Sequence, residues 1–126
     1  MAERRKPLTI GDQIVLIEED IYPLIQRLNT PIGPCTIASY AFGIDGQLKV
    51  YFDYAKYKRL LDYLHFLFAQ ATDKDPGRRL FGFFDNPDRF NIRPFYRDAE
   101  VGLTIMGKMS HADLPIFCER WDNFFK

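Results

Sequence analysis

The stretch TIASYAFGIDGQLKVYFD, residues 36–53, decides the fold because two segments of strand character flank a tight turn. Asp45–Gly46 is a strong hairpin signal, since a short turn between antiparallel strands needs positive φ angles that glycine adopts at no steric cost. Leu48, Val50 and Phe52 alternate with polar residues in the second segment, a pattern typical of a sheet with one covered face. The stretch therefore predicts an antiparallel hairpin whose apolar face packs on another element.

A long helix is predicted to follow the hairpin, over residues 54–71. Asp53 is placed to accept a hydrogen bond from the first turn of this helix, and Pro76–Gly77 cannot comfortably continue it. We expect one apolar stripe of the helix to lie across the covered face of the hairpin. The residues of that stripe recur at i, i+3, i+4 and i+7; they are Tyr57, Leu60, Leu61, Leu64, Leu67, Phe68 and Ala71.

Weaker signals extend the pattern toward both ends of the chain. The apolar run 14–17 predicts a strand, and Asp20 is placed to cap a short helix over 21–28. Pro94 cannot donate to a strand ladder, which indicates that its strand lies at a sheet edge or a bulge. The other predicted elements are strands near 79–84 and 89–96 around the Asp85–Asp88 turn, a strand over 100–106, and a C-terminal helix capped by Ser110 or Asp113.

Together these elements predict an α+β fold in a single domain, residues 1–126, in which residues 1–8 are flexible. The sheet is expected to be mostly antiparallel and twisted, with about five to six strands. One long central helix and the C-terminal helix are expected to cover it. At 126 residues the chain is long enough to bury a core without disulfides or metals.

The charge balance bears on the class of partner. Seventeen basic and seventeen acidic side chains give a formal net charge of zero, so no global field draws the protein toward nucleic acid or an anionic membrane. The N-terminal segment lacks the apolar run of a secretion signal, and the helix over 54–71 carries too many charges to span a bilayer. We therefore expect a cytoplasmic protein in which Cys35 and Cys118 are reduced thiols.

Residues 78–97, RRLFGFFDNPDRFNIRPFYR, hold five arginines and six aromatic rings. Such side chains are enriched in the cores of protein interfaces, and two strands around a turn would leave one aromatic face for something to cover. We expect a non-enzymatic protein-interaction or regulatory module that contacts another protein or a second copy of itself. The expected contact residues are Phe81, Phe83, Arg89, Arg93, Phe95 and Tyr96, with Trp121 and Phe124 as a second patch.

A small-molecule pocket is the main alternative. A curved sheet closed by a helix can enclose an aromatic-lined cavity in which a few polar groups orient a ligand. The polar groups of such a pocket would be Tyr40, Tyr51, Arg93 and Tyr96. The sequence does not distinguish a filled core from a cavity of this kind.

A nucleic-acid partner is the third alternative and the least favoured. Arg79–Phe84 resembles the aromatic strand of RNA-recognition motifs, and the resemblance implies that Phe81 and Phe83 stack on unpaired bases. The predicted order of elements is not βαββαβ, however. The nearby carboxylates of Asp85 and Asp88 also dilute the positive field that phosphates need.

Catalytic and metal-binding signatures are weak throughout the chain. His111 lies next to Ser110 and near Asp113, an arrangement typical of a helix cap and not of a proton relay. His65 falls on the flank of the long helix, and the two cysteines lack the close spacing of a zinc or redox motif. We predict no catalytic residue, no metal and no cofactor.

Overall fold

The hairpin over residues 36–53 lies at the centre of the computed structural model, which describes residues 4–42, 45–84, 91–96 and 103–126. The fold is α+β and forms a single domain. In chain order the elements are β1 (Arg5–Ile10), β2 (Gln13–Glu18), α1 (Tyr22–Leu28), β3 (Thr36–Tyr40), β4 (Leu48–Asp53), α2 (Tyr54–Gln70), α3 (Asp75–Phe84), β5 (Asn91–Tyr96), β6 (Leu103–Met109) and α4 (Asp113–Phe124).

The predicted hairpin is confirmed in the pairing of β3 with β4, which is antiparallel. Gly46 adopts a φ of +75° beside the turn. The Asp45 carboxylate accepts hydrogen bonds from the Gln47 amide at 3.2 Å and from Lys108 Nζ of β6 at 2.9 Å. The pKa of Asp45 is lowered, and the main cause is its hydrogen bond from Lys108. The turn residue thus connects its own hairpin to the next strand of the sheet.

The expected single sheet of five to six strands is wrong, because the described strands form two separate sheets. β1 and β2 make a two-stranded sheet, while the other sheet has the order β3–β4–β6–β5. All pairs are antiparallel, and β5, which contains Pro94, lies at an edge as predicted. The β1–β2 hairpin was not predicted, and residues 5–8, expected to be flexible, belong to β1.

One face of the four-stranded sheet is covered by helices. Leu48, Val50 and Phe52 of β4 are buried and stand opposite Met109, Gly107 and Ile105 of β6, so these residues share the covered face. The predicted long helix is α2, which packs on β4 and β6. The other helices pack beside it. α1 contacts β2, β3 and α4, and α3 contacts α4.

The helix caps are only partly as expected. Asp53 accepts a hydrogen bond from the Lys56 amide at 3.3 Å, which confirms it as the cap of α2. Asp20 does not cap α1, because the residue that precedes this helix is Ile21 and no side chain makes a capping hydrogen bond there. Ser110 Oγ accepts from the Asp113 amide at 3.2 Å where α4 begins.

The strand predicted near 79–84 is also wrong, because these residues belong to helix α3. Pro76 lies beyond the end of α2 and in the first turn of α3. Proline is well suited to the first turn of a helix. Leu80 and Phe81 lie three and four positions after Gly77, and all three are buried on one stripe. The turn predicted at 85–88 lies outside the described residues.

The corner between α2 and α3 depends on two side-chain contacts. Lys74 Nζ donates to the carbonyl oxygens of Phe68 at 2.5 Å and Ala69 at 2.9 Å, which satisfies the C-terminal end of α2. Gly77 lies against the Phe68 ring, where an added Cβ atom would stand 2.2 Å from Phe68 Cδ2. The missing side chain of Gly77 therefore permits the two helices to meet at this angle.

Two glycines of α3 provide a matched test of that contact. Gly77→Ala should lower the free energy of unfolding by about 1–3 kcal/mol, the usual cost of overpacking, despite the better helix propensity of alanine. Gly82→Ala should leave it unchanged or raise it by up to about 1 kcal/mol, since its added Cβ atom meets only Arg120 at 3.9 Å. Urea unfolding measures both changes. Equal effects at the two positions, or no recovery of Gly77→Ala stability when Phe68→Leu is added, would contradict the close approach.

Candidate functional site

The aromatic residues expected to form a contact surface lie mostly in the interior. Phe83 is fully buried, and Phe81 and Trp121 are 7% and 4% exposed. The Phe83 ring meets the Phe117 ring edge-on, with the centroids 5.4 Å apart, and the Phe81 ring stacks on the His65 ring, with the centroids 4.4 Å apart. Phe124 is half-buried and contacts Phe81 edge-on at 6.1 Å. Phe81, Phe83 and Trp121 belong to the core between α2, α3 and α4, so their side chains are not available to a partner in this fold. Phe124 is partly exposed, and its expected contact role stays a prediction.

The remaining residues of that expected surface are only partly described. Arg89 lies outside the described residues. Arg93, Phe95 and Tyr96 are in β5, where they pair with Met106, Thr104 and Leu103 of β6. The structure describes their backbone alone, so their expected contact roles stay predictions.

The histidines and carboxylates of the described ranges do not assemble a metal site. No group of three histidine, cysteine or acidic side chains that could hold a metal ion occurs there. The Ser110 hydroxyl donates to the Asp113 carboxylate at 3.1 Å and accepts from the Asp113 amide. These hydrogen bonds close the turn that precedes α4, whose N-cap residue is Ala112. His111 stacks on Phe42 at 4.8 Å.

The cysteine thiols are weak nucleophiles in this fold. Cys35 is buried and its Sγ donates to the Leu28 carbonyl oxygen at 3.0 Å. Burial raises the pKa of the Cys35 thiol to about 12, far above the range in which a reactive thiolate forms at neutral pH. Burial also raises the pKa of Cys118, although the Arg27 guanidinium opposes this shift.

The structure instead presents a cleft between β2 and β3, with a volume of about 580 Å³. We call it the β2–β3 cleft. It is lined by residues 15–17 of β2, residues 36–40 of β3, the β1–β2 turn, Pro34 and Lys56. Successive side chains of a strand point to opposite faces, so consecutive lining residues mean that the cleft follows the strand edges and not one face of a sheet.

Both strand edges on the cleft are unpaired within the described residues. β2 pairs only with β1, and β3 pairs only with β4. A shift in the β3–β4 register between Thr36 and Ala38 marks an irregularity on β3. Pro34 precedes the strand and has no N–H group to offer. The cleft walls therefore carry backbone N–H and C=O groups that none of the described strands pairs with.

Two contacts close the ends of the cleft and fix the direction of its walls. At one end Gly11 lies so close to the loop before β3 that an added Cβ atom would stand 2.9 Å from Pro34 Cγ. At the other end the Ala41 amide donates to Glu18 Oε2 at 3.0 Å. Because Gly11 and Pro34 precede β2 and β3 while Glu18 and Ala41 end them, the two strands run in the same direction.

The side chains at the cleft are mixed: apolar residues alternate with Thr36 and Ser39 along its length, and charged residues lie near one end. Leu16, Ile37 and Tyr40 line it with exposed fractions of 61%, 46% and 49%. Asp12 lies in the β1–β2 turn, and Lys56 lies in the first turn of α2. The Asp53 amide donates to the Cys35 carbonyl oxygen at 3.2 Å, which places the start of α2 beside the start of β3.

The residues expected to form a ligand pocket are only partly brought together. Tyr40 lines the cleft, whereas Tyr51 of β4 does not. The two rings meet edge-on, with their centroids 6.0 Å apart. Leu16, Ile37 and Lys56 were not expected to contribute to any site. One signal could have indicated Leu16: a strand that carries apolar residues at every position from 14 to 17 must expose some of them unless both of its faces are covered.

Comparison with protein families, with curated proteins and with solved structures finds no match for this chain. Among the helices that the structure describes, none has the length and apolar character needed to cross a membrane.

The burial of Cys35 gives a prediction for thiol chemistry. At about pH 8 an unfolded cysteine, with a pKa near 8.5, is partly thiolate, whereas Cys35 in the fold stays protonated. We expect iodoacetamide to modify Cys118 first in the native protein and Cys35 only after urea unfolding, as peptide mapping by mass spectrometry would show. Because the folded pKa is raised, the contribution of Cys35 to stability is present below about pH 8.5 and is lost as the pH rises toward the folded value. Rapid native modification of Cys35 would contradict its burial.

Proposed function

We propose that this protein is a non-catalytic interaction module that binds an extended segment of another protein in the β2–β3 cleft. The observation that carries the proposal is the pair of strand edges that face one cleft and that no described strand pairs with. An added strand can pair its backbone with such an edge and place alternate side chains in adjacent pockets. The five residues of β3, at about 3.3 Å each, offer an edge of about 16 Å.

The edge formed by β3 differs from the other edge of the same sheet. Natural edge strands are commonly protected by proline or by charged side chains. β5 contains Pro94 and Arg93 in its sequence NIRPFY, whereas β3 reads TIASY and has neither a proline nor a charge. The unprotected edge is the one that opens onto the cleft, which supports a binding role for it.

The shape of the cleft favours an extended segment over a second copy of the folded domain. A two-fold contact between copies brings the same patch against itself. Two concave clefts placed face to face would remain hollow and would leave the strand edges unpaired. A single extended chain, in contrast, enters the cleft and meets both edges.

A small organic ligand is the second candidate, because about 580 Å³ lies within the usual size range of ligand sites and Tyr40 lines the cavity. Such a ligand would use the apolar walls but would not satisfy a row of backbone donors and acceptors. Methylation of peptide nitrogens separates the candidates, since it removes backbone donors and leaves the side chains unchanged.

The cleft walls can be tested by introducing charge. Peptides selected from a library of random seven-residue segments should bind the wild-type protein, as measured by fluorescence anisotropy. Leu16→Lys and Ile37→Lys should each weaken binding at least about tenfold, because each loses apolar contact worth about 1.4 kcal/mol or more. N-methylation at alternate peptide positions should weaken binding comparably.

Phe66→Lys is the matched control, since Phe66 is an exposed apolar residue of α2, at 55%, that lies outside the cleft. This variant should bind selected peptides as the wild type does. Failure to select any binder, or binding that is lost in Phe66→Lys and kept in Leu16→Lys, would overturn the proposal.

A further inference from the structure

We infer that the bound segment is the C-terminal end of a partner chain, lying antiparallel to β2 and β3 with its terminal carboxylate at Lys56. This inference rests on the proposed function, and it adds the direction of the segment and the group that is recognised. It depends on three separate features of the cleft: the direction of the walls, the closed end and the position of charge.

The direction follows from the two walls. Because β2 and β3 run in the same direction, a single inserted strand is either parallel to both or antiparallel to both. Antiparallel pairing is the more stable per residue. An antiparallel segment has its N-terminal side near Glu18 and Ala41 and its C-terminal side near Gly11, Pro34 and Lys56.

The closed end favours a chain terminus. Both ends of the cleft are bridged, but differently: the Gly11 backbone itself approaches Pro34, whereas at the other end only the Glu18 side chain reaches the Ala41 amide. A side chain can turn aside for a passing chain more readily than a backbone can, so a chain is obstructed more at the Gly11 end. A segment that continued past this point would have to leave the cleft sideways and lose its pairing with β3. A segment that ends there keeps its pairing along the whole edge.

The charges agree with that placement. Lys56 lines the cleft at this end and forms no ion pair with a described residue, since the Asp53 carboxylate bonds to the Lys56 backbone amide and not to its ammonium group. Asp12 is on the opposite wall and is not paired with Lys56. Carboxylates stand at both ends, Asp12 at this one and Glu18 at the other. Lys56 is the one basic side chain among the described residues that line the cleft, so an anionic terminus finds a cationic partner at this end alone.

The test uses the full-length protein and two libraries of random seven-residue peptides, one displayed with free C-termini and one with blocked C-termini. We expect the free library to yield the tighter binders. A selected peptide made as the free acid should bind about three- to fivefold more tightly than its C-terminal amide, as expected for one solvent-exposed ion pair, and added salt should reduce this preference.

Lys56→Gln should bind the acid and the amide equally, whereas Lys56→Arg should keep the preference. Lys58→Gln is the control, since Lys58 is an exposed lysine of the same helix that does not line the cleft, and it should behave as the wild type does.

Equal binding of acid and amide by the wild type, or a preference that survives Lys56→Gln, overturns this inference. If Leu16→Lys still abolishes binding in those cases, the proposed function stands. Absence of any Leu16-dependent binder overturns both.

Discussion

The proposed function depends on one constraint: β2 and β3 lie side by side, in contact at both ends, without pairing along their length. Gly11 against Pro34 and Glu18 with Ala41 fix the ends. The register shift within β3 and the proline before it disfavour a continuous ladder between them. Had the two strands paired, the two sheets would form one and the cleft would not exist. The described strands therefore leave the hydrogen-bonding groups of these edges unpaired.

Helical packing supports this arrangement from the other side of the molecule. Arg27 of α1 donates to the Asp122 carboxylate of α4 through two nitrogens, at 3.0 and 2.8 Å. Paired, parallel hydrogen bonds of this kind fix orientation as well as distance. The helix that packs on β2 and β3 is thus joined to the aromatic core between α2, α3 and α4. The dense part of the molecule positions the cleft, and the cleft itself contributes little to the core.

The sequence predicted best where local chemistry is sufficient. Asp45–Gly46 specifies the β3–β4 turn, and Asp53 with the apolar stripe specifies α2, because each signal acts within a few residues. The segment 79–84 was misread for the opposite reason. Alternating Phe81 and Phe83 fit a strand as well as Leu80, Phe81 and Phe84 fit a helix. The helix agrees with packing outside the segment, since the Phe81 ring contacts Phe68 of α2 and the Phe83 ring contacts Phe117 of α4.

Patterns within short stretches of sequence could not predict the candidate site. The run 14–17 correctly indicated a strand, but whether β2 joins the larger sheet depends on Pro34 and Ala41, which lie 17 or more residues further along the chain. The sequence did indicate Tyr40 as a pocket residue, because an aromatic residue in an amphipathic hairpin is often exposed on one face. Lys56 gave no signal, since a lysine in the first turn of a helix is ordinarily solvated and only the tertiary fold brings it to the cleft.

Backbone amide hydrogen exchange along β3 tests the central claim most directly. In the free protein, alternate amides of Thr36–Tyr40 should be protected by β4 while those facing the cleft exchange quickly, and a bound peptide should slow the second set. The β2 amides on the cleft should slow with them. Uniform protection of β3 in the free protein, or a bound peptide that protects only residues outside β2 and β3, would contradict an open edge that receives a partner strand.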